Sequence, residues 1–237
     1  MLSLRIRGRF AQTILAVAAL GAVAAPAARA DFSGATTTTL QDLINAGSQG
    51  ITIGDKTFYN FSYQGSPAAP SDIAITRPDS SDIGLQFNYS WHSADGINED
   101  AVIRYCVHVN DTTPQNLING VGLKFNGTAN PAGVLTNASV TENVTDLNGN
   151  ELAGSPISVI DFGPGNANNR DSASLTVDPA VRDLCVTKDI SVHSAPANLQ
   201  GGVSSITFVD NTFSQVPEPA SLGLVAAGAL LALKRRR

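Results

Sequence analysis

The sequence predicts an all-β fold: an antiparallel β-sandwich of jelly-roll type, with one short N-terminal helix and a separate hydrophobic C-terminal helix. Three observations predict it. The central stretch is rich in Thr, Ser, Asn, Gly and Asp and poor in Lys, Glu and Met, which is strand and turn chemistry. Several runs there alternate with period two. Clusters of Gly, Pro, Asn and Asp separate those runs, and no fixed-period repeat is visible, which argues against a solenoid or propeller.

Taken in order, the helix comes first, over 39–46. Leu40, Leu43 and Ile44 share a face, Thr38 or Thr39 caps the start, and Gly47 ends it. Ile51-Thr52-Ile53 then leads through the turn Gly54-Asp55-Lys56 into a strand over 57–63. Further strands are expected over 72–76, 83–91, 101–109, 117–125, 134–144, 157–162, 172–177, 183–192 and 203–213. Asn148-Gly149 between alternating runs is a hairpin turn signal.

The two ends read differently. Arg5, Arg7 and Arg9 precede an uncharged apolar stretch over 10–25, and Ala28-Arg29-Ala30 follows. Basic start, apolar middle and small-residue site are the parts of a secretory signal peptide, residues 1–30, cut by signal peptidase after Ala30. At the other end Val216-Pro217-Glu218-Pro219 stops regular structure, because proline fixes φ and lacks an N–H. Residues 220–233 are uncharged, and Lys234, Arg235, Arg236 and Arg237 close the chain. As a helix this segment spans about 21 Å of a hydrocarbon core about 30 Å thick. It would anchor the chain briefly in the inner membrane, basic end in the cytoplasm.

The tail VPEPASLGLVAAGALLALKRRR, residues 216–237, resembles the PEP-CTERM sorting signal of Gram-negative bacteria, with all three parts in order. The resemblance implies recognition by an exosortase, a membrane protease that removes the hydrophobic tail near the PEP motif. It also implies association with the cell surface, exopolysaccharide or biofilm matrix. The stretch SSITFVDNTFSQVPEP is similar to the closing strand that precedes the tag in this family. More loosely, LQDLINAGSQGITIGDKTFYNFSY is similar to a recurrent subgroup of it. Residues 31–215 are left as one folded domain, long enough for a proper core.

Eight of the 15 Lys and Arg lie in the two targeting ends, whereas all 20 Asp and Glu lie between residues 31 and 219. That part therefore carries seven basic against 20 acidic residues, a formal balance of −13 where the whole chain has −5. Such a surface repels nucleic acid and anionic membranes and keeps a secreted protein soluble. It also permits Ca²⁺, which takes carboxylate and carbonyl oxygens.

The two cysteines sit in comparable strands, RYCVHV and DLCVTKDISV. In each, the cysteine points away from the more apolar face. If the two strands are neighbours, Cys106 and Cys185 can form a disulfide across one sheet, and export to an oxidising compartment would preserve it. Two unpaired cysteines are the alternative. Nothing in the sequence supplies a His and Asn/Asp partnership for a nucleophilic cysteine.

Candidate ligand sites are few. Trp91, followed by His92, can line a sugar platform, with a core tryptophan as the competing reading. Asp95 and Asp100 bound an acidic loop, and Asp146 with Asn148 begin like an oxygen-ligand loop. These are candidate calcium ligands, although the second loop lacks the glycine and the distal Glu of an EF-hand. No zinc spacing, nucleophile elbow or phosphate-binding glycine loop is present, so no cofactor and no catalytic residue are expected. The expected function is a non-enzymatic, exosortase-sorted surface or matrix protein. A carbohydrate-binding module acting on the producer's own polysaccharide is the alternative, and a glycoside-active enzyme ranks behind both.

Overall fold

Runs that bury every second side chain build two sheets packed face to face. The computed structural model describes residues 30–31, 37–110, 116–131, 135–199 and 201–215. The expected signal peptide (all but Ala30) and the segment 216–237, with its hydrophobic helix and sorting residues, lie outside these.

The elements in chain order are β1 (Ala30–Asp31), β2 (Thr38–Thr39), α1 (Leu40–Ala46), β3 (Ile51–Ile53), β4 (Lys56–Ser66), β5 (Ala74–Thr76) and β6 (Ile83–Ala94). There follow β7 (Glu99–Val109), β8 (Ile118–Asn130), β9 (Asn137–Thr145), β10 (Ile157–Asp161), β11 (Ser172–Val181), β12 (Asp183–His193) and β13 (Val203–Gln215). Sheet A has the order β1-β3-β4-β7-β12-β9-β10, and sheet B the order β11-β8-β13-β6-β5-β2. All pairings are antiparallel except that of β1 with β3. The expected cleavage after Ala30 falls between the two residues of β1.

Strands β6 to β13 form one nested ribbon. β9 pairs with β10, β8 with β11, β7 with β12 and β6 with β13. Rolling that ribbon over alternates successive pairs between the sheets, giving β7-β12-β9-β10 in one and β11-β8-β13-β6 in the other. This is the jelly-roll arrangement expected from the sequence. Strands β3 and β4 widen sheet A, and β5 and β2 widen sheet B.

The inner faces meet in a core centred on Tyr105, whose ring lies 5.2 to 6.2 Å from those of Phe58, Phe61 and Phe87. A polar chain runs through this core. The Tyr105 hydroxyl donates to Asn211 Oδ1 at 2.6 Å, and Asn211 Nδ2 donates to Glu142 Oε1 at 2.9 Å and to the Gly122 carbonyl at 3.0 Å. Lys188 Nζ donates to the other oxygen of Glu142. Lys188, Glu142 and Asn211 are all fully buried, so the network ties three strands of sheet A to the central strand of sheet B.

Helix α1 covers one flank. Thr39 accepts from the Asp42 N–H while the Asp42 carboxylate accepts from the Thr39 N–H, a reciprocal cap, and Leu40 and Leu43 are buried. Gly47, at φ 56°, ends the helix as expected. Among the described residues no helix is long and apolar enough to cross a membrane.

Candidate functional site

The disulfide forms as expected. Cys106 on β7 lies directly opposite Cys185 on β12, and the two are bonded with Cα atoms 4.0 Å apart. It sits on the outer face of sheet A beside Tyr59, which pairs with Cys106. His108 Nδ1 approaches Asp183 Oδ1 at 2.6 Å on the same pair of strands.

The structure does not give Trp91 the role expected of a sugar platform. Its side chain is 1% exposed, its strand position faces Ile206, and Tyr89 packs edge-on against it at 5.3 Å. β6 continues past Trp91 to Ala94, so the tryptophan sits within the strand with its ring turned into the sandwich. Burial removes the free ring face that stacking needs.

The acidic candidates are dispersed. Asp95 and Gly96, at φ 52° and 85°, make the two-residue turn between Ala94 and Ile97 that joins β6 to β7. Asp100 lies within β7 and accepts from Ser191 at 2.6 Å. Asp146 is used by its own turn: one carboxylate oxygen accepts from the Asn148 and Asn150 N–H groups, and the other from Asn150 Nδ2. These bonds hold its pKa below the usual carboxylate value, those from Asn150 contributing most. Thr145 bridges to Glu151 around that turn, so the Asn148-Gly149 signal does mark a hairpin. Asp146 follows Thr145, which pairs with Cys185, whereas Asp100 pairs with Ser191. Six residues of β12 separate those partners, roughly 20 Å of strand. Among the described residues no three His, Cys, Asp or Glu side chains converge as a metal site.

Two groupings escaped the sequence reading. On sheet A, Ser191 Oγ lies 2.6 Å from both Asp100 Oδ1 and His193 Nε2, with 4.0 Å between the last two. The acid thus approaches the same imidazole nitrogen that faces the serine. A nucleophilic triad needs it on the opposite nitrogen, orienting the base.

The second grouping crosses the outer face of sheet B. Register places Ser172, Lys124, Asp210, Gln86 and Thr76 opposite one another on β11, β8, β13, β6 and β5, a polar row about 19 Å long at strand spacing. Hydrogen bonds along it point one way. Asn88 Nδ2 donates to Thr76 Oγ1 at 2.9 Å, Thr76 donates to Gln86 Oε1 at 3.0 Å, and Gln86 lies opposite Asp210 on the neighbouring strand. Asp210 is 8% exposed, and its Oδ1 has no hydrogen-bond partner. Burial raises its pKa, against the opposing pull of Gln86, Lys124 and Lys188. Asp210 lines a cleft of about 220 Å³ with Lys124, Gly122 and Thr212, walled by Pro78-Asp79-Ser80 on one side and Ser172-Ala173 on the other. Phe208, two residues before Asp210, pairs with Asn88 and faces the same side.

The described residues form a jelly-roll sandwich, and the sequence continues past β13 in a C-terminal extension. That extension, residues 215–237, matches the family described as the PEP-CTERM protein-sorting motif, so the chain carries a PEP-CTERM sorting motif at this end. The motif indicates export and a surface or extracellular location.

Comparison with curated proteins finds no match. Among solved structures the chain is similar to TmCBM61 in complex with β-1,4-galactotriose, at 9% identity and a TM-score of 0.31, covering 65% of this chain and 88% of that one. It is similar to the xylan-binding module CBM15 at 16% identity and a TM-score of 0.27, covering 78% of this chain and 100% of that one. A third similarity is to the Arthrobacter globiformis T6 isomalto-dextranase complexed with panose, at 12% identity and a TM-score of 0.29, over 66% of this chain and 23% of that one. Likenesses this distant carry no argument about ligand or activity.

Proposed function

We propose that this chain is a non-enzymatic protein that is exported, held briefly in the inner membrane by its tail, and released by an exosortase into the cell-surface or exopolysaccharide layer. The observation that carries the reading is where the sorting motif begins. It starts at residue 215, and β13, the central strand of sheet B, ends at Gln215. Gln215 Nε2 donates to Asp55 Oδ2 at 2.6 Å and to the Asn116 carbonyl at 2.8 Å, so the last residue of β13 is pinned to the body of the sandwich. A protease can take the tail without touching any strand of the jelly roll. The acidic surface of the domain suits free passage through an aqueous matrix.

The test is fractionation of cells with and without the exosortase. The protein should leave the membrane fraction only where the protease is present. Equal release in its absence would overturn the reading. A second reading, that the delivered sandwich binds extracellular polysaccharide, is favoured by the polar cleft on sheet B.

A further inference from the structure

We infer that the cleft around Asp210 on the outer face of sheet B is a binding site for a neutral, hydroxyl-rich glycan chain. This rests on the polysaccharide-binding reading above and gives that reading a place and a ligand class.

Asp210 is the starting point. A carboxyl oxygen that is withdrawn from water and unpartnered carries a desolvation cost, and such a group in a folded protein calls for an explanation. Here the oxygen belongs to a residue that lines a cleft, on the central strand of its sheet. The Asn88–Thr76–Gln86 chain runs along the row towards Asp210 and ends at Gln86, its partner across the strand pair.

The neighbours define the ligand class. A metal ion would need more ligands than Asp79 and Asp210, and Lys124, opposite Asp210 on β8, places a cation of the chain's own beside the carboxyl. An anionic ligand would meet Asp79, Asp210 and the net negative charge of the domain. A sugar hydroxyl can donate to Asp210 while a neighbouring hydroxyl accepts from Lys124, and Ser80, Ser172 and Thr212 offer further hydroxyls along the cleft. Phe208, one step along the same face, supplies an apolar surface beside these polar groups. Small residues open the floor: Gly122 lies opposite Thr212, and a Cβ there would come within 2.5 Å of Thr212 Oγ1. The row across five strands is suited to an extended chain more than to a single sugar.

The test is native affinity electrophoresis of the secreted protein in gels containing dextran, galactomannan or arabinogalactan, with alginate as the anionic comparison. The wild type should be retarded by at least one neutral polysaccharide and not by alginate. Asp210→Asn should weaken that retardation at least tenfold in apparent Kd while melting at or above the wild-type temperature. The amide replaces one carboxylate acceptor with an N–H group and removes the charge beside Lys124. Lys124→Ala should weaken binding as well. Retardation by a neutral glycan that both variants leave unchanged would overturn the site but not polysaccharide binding. Retardation by none of the neutral polysaccharides would overturn both, and stronger retardation by alginate would overturn the neutral class.

Discussion

Lys188 occupies an inward position of β12 between Val186 and Ile190, and its ammonium donates to Glu142 on the neighbouring strand. Burial pushes its pKa down, against the pull of that carboxylate. A buried pair adds little net stability, but breaking it leaves an uncompensated charge. Lys188→Met should therefore lower unfolding free energy by about 3–5 kcal/mol in urea titration. A loss below about 1 kcal/mol would show that Glu142 and Asn211 do not depend on the ammonium. Asp210 gives a prediction of opposite sign. Burial holds its folded pKa above the ordinary aspartate value, so between the two the folded state holds more protons than the unfolded. Stability from this group is greatest at low pH and falls as pH rises through the folded value. Asp210→Asn should thus be more stable than wild type at neutral pH, with the gap closing in thermal melts as pH falls towards the ordinary aspartate range. A gap that persists or widens at low pH would contradict the assignment. Neither residue was legible beforehand as a site. Lys188 stands out as a break in the Val186–Ile190 alternation, but its partner depends on register. Simple alternation puts Ile206, Phe208 and Asp210 on one face, whereas register shifts between Ile206 and Val209 turn Ile206 inward and Phe208 and Asp210 outward.

Strand positions were more legible than strand partners. Period-two runs located nearly every long strand, and the capping chemistry of Thr39 with Gly47 bounded α1, because both signals are local in sequence. The nested pairing of β6 with β13 and β7 with β12 is set by packing between distant segments, which no single strand records. Trp91 shows the limit: its sequence neighbourhood suits a strand end, but β6 runs on to Ala94 and takes the ring inside. The disulfide acts at the level of the ribbon. Cys106 and Cys185 are 79 residues apart and enclose β8 to β11, so the bond restrains the unfolded form of the whole inner half of the jelly roll. Reduction should cost about 2–4 kcal/mol, read as a lower urea midpoint in the presence of reductant. An unchanged midpoint would mean that the nested strands alone restrict the unfolded chain.

For the whole molecule, the arrangement separates address from cargo. Eight of the 15 basic residues lie in the first 30 and last 22 positions, the expected signal and the sorting tail, and the sandwich between them carries all but one of the chain's acids. On the proposed route, export and removal of the tail would deliver a disulfide-closed, strongly anionic jelly roll whose sheet B presents a polar cleft. The sorting motif was readable because it is a contiguous run at the end of the chain. The cleft was not, since its row of side chains comes from five strands spread over more than 130 positions. The most direct test of delivery is the intact mass of the protein in the extracellular fraction. The mass should correspond to a chain that begins at Asp31 and ends near Pro219, lacking the hydrophobic segment and the basic cluster Lys234–Arg237. Extracellular protein that still carries residues 222–237 would contradict the account.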